Sequence, residues 1–152
     1  MRINIDETIP KRLTIINKLK KQDSASGVDV WYKHTINSCC WAKREHAEQS
    51  GTQTNVGASI NIIIPDSFNK DYLPYHEWKD KQDKENYFTV SENDYVVLGT
   101  VNEDITANNI VNVMKSYEPN CCKVRIFDDR RISADMNGLL QKYASHLYIE
   151  GV

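Results

Sequence analysis

The stretch that decides the fold is YFTVSENDYVVLGTV, Tyr87 to Val101. Two runs rich in β-branched and aromatic residues flank the polar break Ser91-Glu92-Asn93-Asp94, which is typical of two strands separated by a turn. The stretch therefore predicts a hairpin or a bent pair of strands. Most other apolar runs in the chain are also short, β-branched or aromatic, and end at turn residues, so the pattern favours a β-rich domain.

Composition limits the classes of function. A chain of 152 residues is predicted to form one domain, residues 1–152. It has 19 basic and 21 acidic residues and a net charge of −2, so it lacks the basic excess that drives binding to nucleic-acid phosphates. The hydrophobic fraction of 40% is ordinary for a soluble protein, and no apolar run approaches the ~20 residues of a membrane span. We therefore expect no membrane partner.

The first ten residues, Met1 to Pro10, include Asp6 and Glu7 and contain no apolar core of signal-peptide length. This composition argues against export through the general secretory route. We expect synthesis in the cytoplasm.

Alternation of apolar and polar residues predicts most of the strands. VDVWYKHTI, from Val28, alternates clearly, and a turn at Asn37-Ser38 into Cys39–Ala47 would complete a hairpin. Arg12–Leu19 fits either a strand or a short helix. The remaining predicted strands are Ser59–Pro65, Cys121–Phe127 and a last strand over His146–Ile149, after a turn at Asn137-Gly138.

One amphipathic helix and one insertion complete the predicted architecture. Asp104 or Thr106 can cap a helix in which Ile105, Ile110, Val111 and Met114 follow a 3.6-residue repeat, and Pro119-Asn120 ends it. Asp66–Asn86 has no periodic apolar face and is predicted to be a partly helical insertion. The predicted fold class is therefore mainly β with one amphipathic helix and long loops.

The four cysteines form two adjacent pairs, Cys39-Cys40 and Cys121-Cys122. Adjacent residues of a strand point to opposite faces, whereas zinc ligands usually have spacings such as C-x₂-C that let both thiolates bind one ion. His46-Ala47-Glu48 with Pro119–Cys122 superficially resembles the zinc-deaminase signature, but the two thiols are contiguous and the required spacing fails. We expect reduced thiols and no metal.

No other pattern predicts chemistry. The four histidines are scattered without metal-ligand spacing, and no glycine-rich loop resembles a phosphate-binding loop. Four successive charges, Asp128-Asp129-Arg130-Arg131, are more typical of a solvated turn or an intersubunit ion-pair cluster than of a metal site. The three tryptophans favour core or interface packing over base stacking. The sequence predicts that the protein is not an enzyme and has no cofactor.

The order of its segments gives the chain a family resemblance. VDVWYKHTINSCCWAKRE, SINIIIPDS, YFTVSENDYVVLGTV, EDITANNIVNVMKSYEPN and CCKVRIFDDRR together resemble small proteins of the head-to-tail joining module of tailed phages and prophages of low-GC Firmicutes. The resemblance covers roughly residues 28–131. It implies a stopper or head-closure protein, a small β-barrel or sandwich-like subunit in the neck of the virion.

The resemblance also implies partners. Such a subunit assembles as a homo-oligomeric ring between the portal-adaptor complex and the tail, with loops close to double-stranded DNA and without sequence-specific contacts. The Asp66–Asn86 insertion and the extension after Arg131 depart from the simplest such subunits, which leaves a tail-terminator, baseplate or other tail role open. The rival from another class is a small β-rich enzyme or binding module whose site forms only in three dimensions.

The candidate site residues fall into two groups. The polar stretch Glu48–Ala58 is predicted to be a flexible loop facing the DNA channel, and its candidate residues are Gln49, Ser50, Gly51, Thr52, Gln53, Thr54 and Asn55. Deleting Gln49–Gly57 is expected to leave ring assembly intact and to alter DNA retention. The candidate subunit-interface residues are Tyr72, Tyr75, Trp78, Asp128, Asp129, Arg130 and Arg131.

Overall fold

Six strands close into an antiparallel barrel with the order β1-β2-β3-β6-β5-β4. The computed structural model describes residues 11–50, 53–65, 68, 70–130 and 146–152, with only the backbone described for 44–50 and 53–58. The strands are β1 (Lys11–Leu19), β2 (Val30–Ser50), β3 (Gln53–Pro65), β4 (Tyr95–Leu98), β5 (Cys121–Arg130) and β6 (His146–Gly151), and the α-helices are α1 (Tyr75–Trp78) and α2 (Ile110–Tyr117). The predicted mainly β class is confirmed, and the barrel is closed.

Strand β2 is one continuous element of 21 residues, so the predicted hairpin over Val28–Ala47 is wrong. The first part of β2 pairs with β1 as far as Cys39, and pairing with β3 begins at Cys40. Tilt and stagger in a closed barrel let one strand pair with different neighbours along its length. Asn37 and Ser38 therefore continue the strand where the sequence predicted a turn.

The barrel interior contains the main hydrophobic core. Inward positions of all six strands supply aliphatic side chains, among them Leu13, Ile15, Ile62, Val96, Val124 and Ile149, all of them 2% exposed or less. Each such side chain contributes roughly 1.5–3 kcal/mol through burial of its apolar surface. This core accounts for the β-branched composition of the strands.

A second core lies outside the barrel, between helix α2 and the side chains of β1 and β4 that point away from the barrel interior. Ile16 and Val97 point outward from these strands and pack against Ile110 and Met114 of α2. The predicted amphipathic helix is confirmed, although its first residue is Ile110 and no side chain caps it. Asn109 instead accepts a hydrogen bond from the Thr106 backbone N–H through Oδ1, at 2.7 Å.

The deciding stretch Tyr87–Val101 forms only one regular strand, so its predicted pairing with itself is wrong. Phe88 makes an isolated bridge with Tyr72, and residues Ser91 to Asp94 form a turn in which Asn93 has a φ of 76°. The following strand β4 pairs with β1 and β5. Phe88 and Val90 are buried in the barrel core, which explains their apolar character without a second strand.

The insertion is partly helical, as predicted. Helix α1 and a 3-10 turn at Lys84–Asn86 lie within it. The bridge between Tyr72 and Phe88 joins its beginning to the segment that leads into β4. The insertion is therefore packed onto the barrel.

Candidate functional site: a projecting arm and two barrel faces

The last third of β2 and the first half of β3 form a two-stranded ribbon that pairs with no other described strand of the barrel. Residues 44–50 pair with residues 53–59 in continuous antiparallel register, from Arg44 opposite Ser59 to Ser50 opposite Gln53. Strand β1 pairs with β2 only as far as Cys39, and β6 pairs with β3 only from Ile60 onward. Both outer edges of this ribbon, hereafter the arm, are therefore unpaired in the described part of the chain.

The arm corrects the prediction of a loop over Glu48–Ala58. Of the predicted channel residues, Gln49 and Ser50 lie in β2, Gln53, Thr54 and Asn55 lie in β3, and Gly51 and Thr52 lie outside the described residues. A polar segment with little apolar surface forms strand here because its backbone groups pair across the hairpin. Seven residues per strand correspond to about 24 Å.

The two strands of the arm differ in charge. Residues 44–50 include Arg44, Glu45 and Glu48, whereas residues 53–59 carry no charged residue. Charged residues on an edge strand oppose pairing with another chain, and an uncharged edge lacks this protection. The β3 edge of the arm is therefore the one that is open to a further strand.

Aromatic residues that the sequence predicts at a subunit interface are packed within this chain's own fold. Trp78 is 0% exposed and its ring packs edge-on against Tyr32 at 5.7 Å, and Tyr72 is buried between Phe88 and Phe127. The expectation that these rings are exposed is corrected. The spacing of three residues indicated a common side, but that side faces the chain's own barrel.

Tyr75 holds the insertion against the connection between β1 and β2. Its hydroxyl donates to Asp23 Oδ2 at 2.7 Å and accepts from the Lys20 backbone N–H at 3.2 Å. Burial, followed by the hydrogen bond to Asp23, raises the pKa of Tyr75 to about 12. The same hydrogen bond is the main cause that lowers the pKa of Asp23. The hydroxyl is therefore committed to a structural contact.

The predicted charged cluster lies on the outer surface of β5. Asp128, Asp129 and Arg130 are exposed, and Arg131 lies outside the described residues. Arg130 Nε donates to Asp128 Oδ2 at 2.8 Å, and its guanidinium lies 4.4 Å from the centre of the Tyr148 ring. The cluster is thus ordered within the subunit and remains accessible.

These charges border an uncovered face of the barrel, formed by β3, β6 and β5 and hereafter called the outer face. Ile63 is 38% and Ile126 45% exposed on it, and Tyr148 lies between the two strands that carry them. In the strand order, β3 and β6 are opposite β1 and β4, the pair that α2 covers. The barrel therefore has one face covered by a helix and one face that exposes aliphatic side chains.

Sequence reasoning missed a buried polar group. Asp94 is 2% exposed, and its carboxylate accepts hydrogen bonds from Asn17 Nδ2, Lys18 N and Ser91 N at 2.9–3.1 Å. Burial is the largest effect on this carboxyl and raises its pKa to about 6. The polar run Ser91–Asp94 indicated a turn, and no signal in the sequence showed that Asp94 would point inward.

The cysteines follow the predicted geometry. All four are free, with Cys39 and Cys122 buried and their neighbours Cys40 and Cys121 partly exposed. Burial raises the pKa of both Cys39 and Cys122 to about 12, which keeps these thiols protonated and unreactive. Among the described residues, no group of three or more His, Cys, Asp or Glu side chains could hold a metal ion.

The fold is a small closed β-barrel in which β2 and β3 continue into a two-stranded arm. Residues 8–152 match a family of unknown function, DUF6751, and the chain belongs to this family. No curated protein and no solved structure matches the chain. Within the described residues, no helix has the length and apolar character needed to span a membrane.

Proposed function

We propose that this protein is a structural component of the neck of a tailed phage or prophage, of the stopper or head-closure kind. It forms a homo-oligomeric ring between the portal-adaptor complex and the tail and helps to retain packaged DNA. The observation that carries the proposal is the arm, a ribbon on a closed barrel whose two edges pair with no other strand among the described residues.

The arm has a physical need for a partner. A two-stranded ribbon is marginally stable in water by itself, and unpaired edges bind other strands. In a ring, symmetry brings the arms of neighbouring subunits side by side around the central opening. Each arm then gains a neighbour on assembly, and together the arms narrow the opening.

The charge of the arm suits a position beside DNA. Residues 44–59 contain one arginine and two glutamates, Arg44, Glu45 and Glu48, which gives a formal charge of −1 with His46 neutral. A weakly negative surface does not bind the phosphate backbone strongly, so DNA can be held back without adhering. The tip residues Gln49 to Asn55 are the ones we assign to the channel.

The ring interface is assigned to the barrel. A ring requires two different surfaces on each subunit that fit one another, because each copy contacts the next head to tail. We assign the interface to the outer face, with Ile63 and Ile126 exposed, and to the opposite side, where α2 exposes Val111. Asp128 and Arg130 border the outer face and supply polar contacts at its rim.

Mass spectrometry of purified particles tests the proposal. Particles induced from the strain that carries this gene are separated by density, and peptides of this protein are quantified against portal and tail peptides. The proposal predicts co-purification with the particles at a constant ratio to the portal protein. Absence from intact tailed particles contradicts it.

A variant with a shortened arm tests whether the arm retains DNA without being needed for assembly. In this variant, residues 46–57 are replaced by a two-residue turn, so that Glu45 and Ala58 still pair. The expected particles contain the variant at the normal ratio and lose DNA, measured as nuclease-sensitive DNA per particle. If the variant particles retain DNA normally, the arm does not close the channel.

A further inference from the structure

A groove of about 320 Å³ opens at the base of the arm. It lies where the end of α2, the beginning of β5, the middle of β3 and the end of β6 come together. Its lining residues are Lys43, Ile60, Tyr95, Met114, Glu118, Pro119, Cys121, Cys122, Lys123 and Val152. The volume is at the lower end of the roughly 300–1,000 Å³ typical of ligand pockets.

The floor of the groove is apolar because both hydrophobic cores meet there. Ile60 and Cys122 belong to the core inside the barrel, and Met114 belongs to the core under α2. All three side chains are 3–6% exposed, so they offer an ordered surface. An aliphatic side chain entering the groove would contact both cores at once.

Two cations flank this floor. Lys43 and Lys123 are exposed, and among the described residues neither forms an ion pair. Lys123 lies 5.8 Å from the centre of the Tyr95 ring, and Glu118 is the only acidic side chain among the described lining residues. The lining side chains therefore carry one net positive charge, and the two lysines at the rim can bind a carboxylate.

The backbone beside the groove excludes recognition by strand addition at Lys123. The Lys123 N–H donates to Val152 O at 3.0 Å, and the Val152 N–H donates to Lys123 O at 3.1 Å. A segment that binds here must therefore contact Lys123 through side chains. The cationic rim beside an apolar floor favours a protein segment that inserts one aliphatic side chain and presents carboxylates.

We infer that this groove binds an extended segment of a partner protein, in which one isoleucine- or leucine-sized anchor is followed by one or two carboxylates. The anchor occupies the floor between Ile60 and Met114. The carboxylates bind Lys43 and Lys123, where charge complementarity supplies specificity. This inference does not depend on the neck assignment, because it rests on the groove alone.

Two thiols provide the readout. Cys121 lines the groove and is partly exposed, whereas Cys40 is equally intermediate in exposure but does not line it. The full chain is alkylated slowly at mildly alkaline pH, with and without the peptide GSIDEGS, and modification of each cysteine is measured by mass spectrometry. A short peptide with one anchor is expected to bind with a Kd of about 0.1–1 mM.

The inference predicts that GSIDEGS slows modification of Cys121 and leaves Cys40 unchanged. The peptide GSIKKGS lacks the carboxylates, and GSADEGS lacks the anchor. Each should protect at least about tenfold more weakly. The variants Lys43→Glu and Lys123→Glu should abolish protection. Lys115→Glu, at an exposed lysine of α2 outside the groove, should retain it.

Three results overturn the inference. The first is no selective protection of Cys121, and the second is equal protection by GSIKKGS. The third is stronger protection by octanoate than by the peptide, which would assign the groove to small amphiphiles. Circular dichroism of each variant confirms folding, so a loss of protection cannot be attributed to unfolding.

Discussion

Asn17 and Asp94 form a hydrogen-bonded pair in the interior of the protein, where both side chains are at most 2% exposed. Asn17 Nδ2 donates to Asp94 Oδ2 at 2.9 Å, and Asn17 Oδ1 accepts from the Thr89 backbone N–H at 3.2 Å. The pair joins β1 to the turn that precedes β4. Side-chain oxygens thus accept from the backbone N–H groups of residues 89 and 91, which would otherwise need a neighbouring strand. Residues 87–94 can therefore lead into β4 through a turn.

Removing the Asp94 carboxylate should destabilise the protein strongly. Asp94→Ala leaves three N–H donors without their acceptor, those of Asn17, Lys18 and Ser91. At about 1–3 kcal/mol for each buried unpaired group, we expect a loss of about 3 kcal/mol or more in the free energy of unfolding. Urea denaturation measures this loss, and a change below about 1 kcal/mol would show that the network contributes little.

The same residue should make stability depend on pH. The folded-state pKa of about 6 lies above the ordinary value of 3.8 for an aspartate, so the folded protein binds the proton more tightly than the unfolded chain. The contribution of Asp94 to stability is therefore fully present below about pH 4 and is lost as the pH rises through about 6. It amounts to at most about 3 kcal/mol.

Asp94→Asn isolates this contribution. The free energy of unfolding is measured for both proteins at about pH 5 and about pH 7.5. The wild type should gain more stability than Asp94→Asn when the pH is lowered, because other titrating groups cancel in the comparison. Identical pH dependence of the two proteins would contradict the proposed burial of a titrating carboxyl.

A glycine at position 151 is required by packing against Cys122. A Cβ atom at Gly151 would lie 2.4 Å from Cys122 Sγ and 3.0 Å from the Lys123 carbonyl oxygen. Gly151→Ala should therefore lower the free energy of unfolding by about 1–3 kcal/mol through overpacking. Thermal denaturation should show a melting temperature that is about 2–4 °C lower per kcal/mol.

Cys122→Ala supplies the control for this contact. The double variant Gly151→Ala/Cys122→Ala should lose at least about 0.5 kcal/mol less stability than the two single losses added together. Removing Sγ relieves the shortest contact, whereas the 2.9 Å contact with the Cβ atom of residue 122 remains. Strict additivity would mean that the two positions do not contact one another.

The insertion should behave as part of the core. Trp78 is 0% exposed, so Trp78→Ala should cost about 3–5 kcal/mol of stability. Phe68→Ala provides an aromatic control in the same segment, because Phe68 is 42% exposed and its loss should cost less than about 0.5 kcal/mol. Similar effects of the two substitutions, measured by urea denaturation, would contradict the packing of the insertion onto the barrel.

The outer face should contribute to assembly and not to folding. Ile126 is 45% exposed, so Ile126→Asp should change the stability of the monomer by less than about 0.5 kcal/mol and weaken ring formation about tenfold or more. Val28→Asp alters a valine that is 55% exposed outside the strands and should leave assembly unchanged. Equal effects of the two variants on assembly, measured by light scattering against concentration, would remove the outer face from the interface.

Regular alternation made much of the fold predictable. The strands β3, β5 and β6 and the helix α2 were predicted because one face of each carries apolar residues at the appropriate period. The sequence predicts two strands where β2 is one. A barrel strand can pair with different neighbours along its length, and this change of partner produces no recognisable sequence pattern. The sequence predicts a loop over most of the arm because its side chains are polar and show no strand pattern. The arm is ordered by backbone pairing between β2 and β3.

The candidate site was predicted only in part. The residues Asp128 to Arg130 are exposed, but they continue β5 where the sequence predicts a turn after Phe127. Burial of Trp78 depends on how the insertion packs onto the barrel. The isoleucines Ile63 and Ile126 are exposed although their residue type favours burial, and only the closed barrel shows which face each one occupies.

Native mass spectrometry of the full chain tests whether this protein forms a ring in the neck. The mass is measured for the protein alone and with candidate portal-side and tail-side proteins. We expect a monomer that enters a ring on the portal-adaptor complex, and the shortened-arm variant should still enter the ring because the barrel faces form the main interface. A ring formed by the protein alone would favour a tail terminator, and a monomer that binds neither partner would contradict the account.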